Sequence, residues 1–249
     1  MKKKALVTGA SAGIGRACAI ALLKEDWQVA LVGRRADALQ ETLALAGDKA
    51  DNGLFFVADV SDETQVARAF SQVRERWGRL DLLFNNAGVS LPGALPGDIC
   101  GNDWRRAVDI NLNGAFYCLS QAFKLMQDQL PQGGRIINNG SISAHVPRPG
   151  SIAYTSTKHA ISGLTRAASL DGRPFGIAVG QIDIGNVASE MTASMAAGIR
   201  QADGSVKTEP RMDMSAVVET FMTMARLPLS ANILFTTVMA TQMPYVGRG

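Results

Sequence analysis

Thr8-Gly9-Ala10-Ser11-Ala12-Gly13-Ile14-Gly15 joins a short apolar run, residues 5–8, to a helix-length segment, residues 14–24. The glycines allow a tight turn and let a ligand approach the main chain closely. The free N–H groups and the positive dipole at a helix N-terminus favour an anion such as a pyrophosphate. The turn therefore predicts a dinucleotide site at which the ligand contacts Gly9, Ser11, Gly13, Ile14 and Gly15.

The alternation of strand and helix continues along the chain. Apolar, β-branched runs predict strands at 5–8, 28–32, 54–58, 80–84, 135–139, 177–182 and 233–239. Amphipathic stretches predict helices at 14–24, 37–44, 63–77, 102–129 and 156–170. Repeated units of this kind form parallel sheets with helices on both faces. We predict an α/β fold, a doubly wound parallel sheet of about seven strands (a Rossmann fold), in a single domain spanning residues 1–249.

Composition and charge exclude several classes of protein. The net charge is only +3, and no basic run is interleaved with aromatic residues, so we expect no nucleic-acid partner. The apolar run that follows the lysines at 2–4 is too short for a signal peptide or a membrane span, so we expect a cytoplasmic protein with no membrane partner. The cysteines have no metal-binding spacing, so neither a disulfide framework nor a metal site is expected at Cys18, Cys100 and Cys118.

Further motifs follow in a definite order. Asp59-Val60 comes after the third predicted strand, Asn85-Asn86-Ala87-Gly88 follows the fourth, Asn111 lies in the long helix, and Ser141 precedes Tyr154-x-x-x-Lys158. Together with the glycine spacing G-x-x-x-G-x-G, these motifs make residues 4 to about 190 resemble the short-chain dehydrogenase/reductase family. The resemblance implies a nicotinamide dinucleotide cofactor and hydride transfer to or from a carbonyl or alcohol carbon.

The resemblance also implies where the cofactor lies. Asp59 would face the adenine amino group and Val60 would line the adenine pocket. Asn85, Ala87 and Gly88 would lie beside the adenine ribose and the bound cofactor. Two structural alternatives stay open, because Asp59 could serve as a helix cap near Ser61 and the asparagine pair could tie neighbouring strands together.

The end of the second predicted strand bears on the choice of cofactor. A carboxylate there would accept a hydrogen bond from the ribose 2′-hydroxyl of NAD, whereas a guanidinium would donate hydrogen bonds to the 2′-phosphate of NADP. The sequence has Gly33-Arg34-Arg35 and no acid at this point. We therefore predict NADP(H), with NAD as the alternative, and Arg34 as the best candidate for the phosphate contact, with Arg35 beside it. Both arginines could instead be solvated turn residues.

Tyr154 and Lys158 are four residues apart and so share one face of a helix. A neighbouring ammonium and the positive nicotinamide ring favour the phenolate form of a tyrosine, so Tyr154 would act as acid or base at the substrate oxygen. Ser141 would bond that oxygen. The resemblance adds that Lys158 holds the nicotinamide ribose hydroxyls and that Asn111 interrupts its helix and holds a water.

Two polar residues compete with this assignment. Ser143 is a second hydroxyl near Ser141, and on an extended strand it would point the same way. His145 is a conceivable general base, but it lies in the loop after the strand, where it would shape the substrate pocket or face solvent.

The C-terminal third departs from the family pattern. The family usually has Pro-Gly after the sixth strand and a Thr four residues later; here Ile184 replaces the proline, Gly185 remains and Ser189 supplies the hydroxyl. We expect Gly185, Val187 and Ser189 at the nicotinamide carboxamide. Residues 189–213 break the rhythm of strand and helix and predict a substrate lid. The tail, residues 243–249, could reach a neighbouring subunit or border the substrate pocket.

The expected function is that of an NADP(H)-dependent oxidoreductase, acting on a small-molecule carbonyl or secondary alcohol as a homodimer or homotetramer. A nicotinamide sensor without turnover is one alternative, although it would not need Ser141, Tyr154 and Lys158. A sugar-nucleotide epimerase-like enzyme is another, although such relatives usually carry a larger C-terminal domain than the sixty or so residues that follow Gly185.

Overall fold

A computed structural model describes residues 2–188 and 198–246 of the chain. Its strands are β1 (Lys4–Thr8), β2 (Gln28–Gly33), β3 (Gly53–Val57), β4 (Leu82–Asn85), β5 (Gly134–Asn139), β6 (Ile177–Ile184), β7 (Ile199–Arg200), β8 (Val206–Lys207) and β9 (Phe235–Val238). Seven of them form one parallel sheet in the order β3-β2-β1-β4-β5-β6-β9. The predicted doubly wound sheet is therefore confirmed.

Helices cover both faces of this sheet. They are α1 (Gly13–Lys24), α2 (Ala36–Ala44), α3 (Glu63–Trp77), α4 (Gly101–Val108), α5 (Gly114–Asp128), α6 (Ile152–Gly172) and α7 (Met214–Arg226). Successive residues of a strand point to opposite faces, so Ala5 and Val7 join the core under α1 and α7, whereas Leu6 joins the core under α3 and α5. None of the helices in the described ranges is long and apolar enough to cross a membrane.

The sheet order places a crevice at the carboxyl end of β1. The chain passes from β1 outward to β2 and β3, then returns to the other side of β1 with β4. Ligands of open α/β sheets bind in the crevice outside the strand ends at such a reversal. The glycine turn lies at this point, directly after Thr8.

The structure differs from the sequence prediction in two elements and bears out an interruption in a third. The long helix predicted at 102–129 is divided into α4 and α5 by a π-helical turn at Asp109–Asn113, which contains Asn111, the residue expected to interrupt it. Helix α7 was not predicted, although its buried residues Val217, Phe221 and Met224 have helical spacing. The stretch predicted to be irregular contains, in its described part, the antiparallel pair β7–β8.

Arg135 is a buried charge at the amino end of β5. Its side chain is within the core, with the residue only 2% exposed, and burial lowers its pKa. The Nη2 atom donates to the carbonyl oxygens of Leu227, Pro228 and Ala231 at 2.9–3.3 Å, and Nη1 donates to Asn232 Oδ1 at 3.0 Å. These carbonyls belong to the segment directly after α7, and the guanidinium supplies them with hydrogen-bond donors. Arg135 thus joins the end of α7 to the sheet.

The Arg135→Met variant should lose about 2–4 kcal/mol of unfolding free energy, because three carbonyls after α7 lose the charged donor that joins them to the sheet. Arg74→Met is the matched control: the ion pair of Arg74 with Asp128 is about half exposed, and its loss should cost at most about 1 kcal/mol. Denaturant unfolding measures both. Equal losses in the two variants would contradict this account of Arg135.

Candidate active site

The glycine turn leaves the N-terminus of α1 open to a ligand. Gly9 has φ +66°, in the left-handed region. A Cβ at Gly15 would lie 2.5 Å from Asn86 Nδ2 and closer still to Gly9 O, so only glycine allows this approach. Ala12, the N-cap, caps none of the first N–H groups of α1 through its side chain, and the first turn contains no acidic residue. These groups, at Gly13, Ile14 and Gly15, therefore fit the pyrophosphate of a dinucleotide.

Thr8 and Asn86 hold the turn against β4. Thr8 Oγ1 accepts hydrogen bonds from the N–H groups of Asn86 at 2.9 Å and Ala87 at 3.0 Å. Asn86 Nδ2 donates to Thr8 O at 2.9 Å, and Asn86 Oδ1 accepts from Asn139 Nδ2 at 2.8 Å. The ends of β1, β4 and β5 are therefore joined by side-chain bonds. Sequence reasoning missed Thr8 as a site residue; the hydroxyl directly before Gly9 was the available signal.

The Asn85 side chain has a structural role. Its Nδ2 atom donates to Ala115 O at 2.7 Å and to Asn138 Oδ1 at 3.2 Å, and the residue is 6% exposed. The alternative that the asparagine pair ties neighbouring strands is therefore what the geometry shows. Ala87 packs close to Gly9, and Gly88 lies close to Asn111 Oδ1, so the loop after β4 borders the crevice. Cofactor contacts of this loop remain a prediction.

The predicted adenine-side residues lie near Arg34. Arg34 Nη1 lies 3.9 Å from Asp59 Oδ2, and both side chains are partly exposed. Asp59 Oδ1 accepts bonds from the N–H and hydroxyl of Ser61. The cap of α3 is instead Asp62, whose pKa is lowered to about 2 by hydrogen bonds from Thr64 and Gln65. Val60 is buried beneath this turn.

Arg34 and Arg35 line different hollows. Arg35 borders a space of about 400 Å³ with Ser11, Ala12 and Arg16, next to the glycine turn. Arg34 borders a second space of about 400 Å³ with Asp59 and Arg105. The two arginines are therefore not interchangeable as phosphate partners.

Ser141, Tyr154 and Lys158 converge at the carboxyl end of β5. Lys158 is buried, and its Nζ donates to Asn139 O at 2.7 Å, two residues before Ser141. The same Nζ lies 5.5 Å from the centre of the Tyr154 ring, which is half-buried. Helix α6 thus carries the tyrosine and the lysine to the strand that ends beside the serine.

Ser141 is held in a defined orientation. It caps the short 3₁₀ turn Ile142–Ala144, and its Oγ accepts from Ser143 N at 3.1 Å. Since that bond uses an acceptor position, the hydroxyl hydrogen of Ser141 stays available for a substrate oxygen. Ser143 lies in the turn and not on an extended strand, so the condition under which it would point the same way as Ser141 is not met.

Asn111 lies in the π-helical turn and is buried. Its Oδ1 accepts from Val89 N at 2.8 Å, and its Nδ2 donates to Val89 O at 2.9 Å and Thr157 Oγ1 at 3.3 Å. The side chain therefore joins the loop after β4 to α6, one residue before Lys158. The bound water remains a prediction.

The segment after β6 is only partly described. Gly185 N donates to Val238 O at 2.9 Å, and Val187 is buried and forms a bridge with Met212. Ser189 lies outside the described residues. In the described part of the tail, residues 243–246, Met243 is buried in the core under α1 and α7, and Tyr245 packs against this core.

Glu209 anchors the described part of the predicted lid. Its buried carboxylate pairs with Arg148 at 2.5 Å, and it accepts hydrogen bonds from Asn186 at 2.8 Å and Gln201 at 3.2 Å. Residues 198–213 are therefore fastened to the segment after β6 and to the loop before α6. Within residues 2–188 and 198–246, no three His, Cys, Asp or Glu side chains are grouped to hold a metal ion.

Comparison with known proteins shows a consistent set of relatives. A family model described as short chain dehydrogenase matches residues 3–200. The 3beta-hydroxysteroid dehydrogenase of Mediterraneibacter gnavus is 36% identical over 199 residues, covering 80% of this chain and 71% of that protein. The 3-oxoacyl-acyl-carrier-protein reductase FabG of Staphylococcus aureus is 33% identical over 205 residues, 81% of each chain. A solved structure of ElxO with NADP bound has a TM-score of 0.85 at 29% identity, covering 96% of this chain and 97% of that one.

The Thr8→Val variant should lose about 1–3 kcal/mol of unfolding free energy, because two N–H groups lose their acceptor without a change in side-chain shape. Thr8→Ser keeps the hydroxyl and should lose less than about 1 kcal/mol. Denaturant unfolding compares the two. If valine and serine cost the same, the hydroxyl bonds do not hold the turn.

Proposed function

The chain belongs to the short chain dehydrogenase family of oxidoreductases, and on that premise we propose that it is an NADP(H)-dependent enzyme that transfers a hydride between the nicotinamide and a carbonyl or secondary alcohol. The observation that carries the proposal is the position of Lys158, which bonds the end of β5 beside Ser141 and lies next to the Tyr154 ring. An acid or base, a cation and a hydroxyl donor thus stand at one strand end.

Proton transfer is the task of Tyr154. In reduction its hydroxyl donates a proton to the substrate carbonyl oxygen, and in oxidation its phenolate accepts the alcohol proton. The Lys158 Nζ lies 5.5 Å from the centre of the Tyr154 ring and so places a positive charge beside the group that transfers the proton. Ser141 donates its free hydroxyl hydrogen to the same substrate oxygen and stabilises the charge that develops there. The cofactor, when bound, supplies or accepts the hydride.

The open end of α1 and the arginines after β2 support NADP(H) as the cofactor. The N–H groups of the turn suit the pyrophosphate, and the two residues directly after β2 are arginines instead of the carboxylate that would bond the ribose 2′-hydroxyl of NAD. The similar protein ElxO has been solved with NADP bound. Arg34 is the first candidate for the 2′-phosphate. Arg35 is a second candidate, because it borders the hollow beside Ser11. NAD is the alternative cofactor.

The substrate is a small molecule with a carbonyl or secondary alcohol. The two relatives are named for a hydroxysteroid and a 3-oxoacyl group, and both names describe this chemistry. Of the predicted lid, residues 189–197 lie outside the described residues; the described part, 198–213, is fastened by Glu209 and would cover the substrate. Exposed apolar residues on α5 and α6, Phe116 and Leu170, fit the predicted homodimer or homotetramer.

Titration with NADPH and with NADH, followed by nicotinamide fluorescence, tests the cofactor assignment. We expect tighter NADPH binding, and only one of the variants Arg34→Ala and Arg35→Ala, the one that removes the phosphate contact, should weaken it by roughly 10- to 100-fold while NADH binding stays unchanged. Arg74→Ala, on α3, is the control. Equal affinity for both cofactors, or no effect of either arginine, would exclude the phosphate contact.

Turnover of a ketone panel with NADPH tests the reaction. The panel contains a 3-keto steroid, an acetoacetyl thioester and diacetyl. Tyr154→Phe keeps the ring beside Lys158 but removes the hydroxyl, so kcat should fall by about 100-fold or more while NADPH affinity is unchanged. Binding without turnover of any ketone would favour the sensor. Conversion of a sugar nucleotide without net cofactor oxidation would favour the epimerase-like enzyme.

A further inference from the structure

Asp183 is a buried carboxylate that the proposed reaction does not use. It lies near the end of β6, and its side chain is 1% exposed. Oδ1 accepts from Ser141 N at 2.9 Å and from Gln181 Nε2 at 2.7 Å, and Oδ2 contacts His145 Nε2 at 2.8 Å. A carboxylate that takes three donors in a buried place costs free energy unless each donor is kept. The three donors therefore stabilise the buried carboxylate in one fixed position.

Gly140 makes room for this carboxylate. A Cβ at position 140 would collide with Asp183 Oδ1 and would lie 2.5 Å from Gln181 Nε2. The residue between Asn139, which holds Lys158, and Ser141 thus has to be glycine for Asp183 to reach the Ser141 N–H. Gln181 is itself held in place, since its Oε1 accepts from Thr165 and its Nε2 also donates to Ser162 on α6.

The carboxylate fixes Ser141 from one side while the 3₁₀ turn fixes it from the other. Asp183 binds the main-chain N–H of Ser141, and Ser143 N donates to the Ser141 side-chain oxygen. With both bonds made, the position of the Ser141 Oγ atom is set by the protein before substrate arrives. Preorganised donors of this kind need no rearrangement in the transition state.

His145 donates a hydrogen bond to Asp183. A carboxylate only accepts hydrogen bonds, so the Nε2 atom of His145 carries the hydrogen of this contact. The imidazole is partly exposed, with 39% of its side chain accessible, whereas Asp183 is not. The negative charge of Asp183 also acts on Tyr245: burial and, to a smaller extent, this charge raise the pKa of the Tyr245 phenol. The histidine does not face solvent freely, and its ring stands beside Ser141 because the same carboxylate holds both.

We infer that Asp183 is a positioning residue: paired with His145 and admitted by Gly140, it orients Ser141 for the substrate oxygen. The inference rests on the proposed function, because it assigns Ser141 its role there. Asp183 acts through Ser141 and does not touch the substrate. Its effect on turnover must therefore disappear when the Ser141 hydroxyl is removed.

A double-mutant cycle tests this dependence. Asp183→Asn offers one acceptor atom where three donors converge, and kcat for the fastest ketone of the panel should fall by roughly 10- to 100-fold. In the Ser141→Ala background, which keeps the main-chain N–H, the same change should alter kcat by less than about twofold. An equal loss in both backgrounds overturns the inference. The matched control is Asp81→Asn, because Asp81 also accepts a main-chain N–H, that of Lys4, but at the amino end of β1. This variant should leave kcat unchanged.

Folding and cofactor binding are controlled separately. Each variant is compared by its unfolding midpoint and its NADPH dissociation constant. The inference requires that kcat changes while both of these stay the same. If Asp183→Asn does not fold, His145→Ala and His145→Gln replace it. Glutamine keeps an N–H donor for Asp183, so it should restore most of the kcat that alanine loses; equal losses overturn the inference.

A second measurement does not need turnover. The chain has two histidines, so ¹⁵N spectra of the wild type and His159→Gln assign both imidazoles. His145 should carry its hydrogen on Nε2, and Gly140→Ala should shift its nitrogen resonances by displacing Asp183. A hydrogen on Nδ1, or no shift, overturns the pair. Absence of turnover for every ketone, or full activity of Ser141→Ala, would instead refute the proposed function, whether or not the pair is seen.

Discussion

All seven strands of the main sheet run in one direction, so the main-chain groups at their carboxyl ends must find partners beyond the strand ladder. Side chains at the strand ends supply them. Thr8 binds the N–H groups that follow β4, Asn86 returns a bond to β1, and Asn139 joins Asn86 to β5. The crevice is therefore rigid at the point where the strand order reverses, and the glycine turn stands on this frame.

At the amino ends of the strands, charged side chains supply the partners that the main-chain groups need. Asp81 accepts the N–H of Lys4, the first residue of β1, and Arg135 donates to the carbonyls that follow α7. These groups bind no ligand in our account. They hold the amino ends of the strands, and this separates residues that stabilise the sheet from residues that act on a substrate.

The proposed site residues lie at the carboxyl ends of the strands, where the same groups both join the strands and hold these residues in place. Asn139 accepts from the Lys158 ammonium through its carbonyl while its side chain belongs to the frame. Ser141 is bonded through its main chain to Asp183 and through its oxygen to Ser143, and it keeps one hydrogen to donate. A small displacement of β5 would move the lysine and the serine together.

Local patterns were enough to predict the fold and the family, because a glycine turn, a period of hydrophobic residues and the spacing of Tyr154 and Lys158 are all properties of short segments. They were also enough to place Ser141 and Asn111 near the right elements. They could not predict Asp183 beside Ser141, 42 positions away, or Arg135 at the end of α7, 92 positions from Leu227. Nor could they show that Gly140 makes room for a carboxylate. These contacts depend on how strands and helices pack, and a buried charge becomes interpretable only when its partners are known.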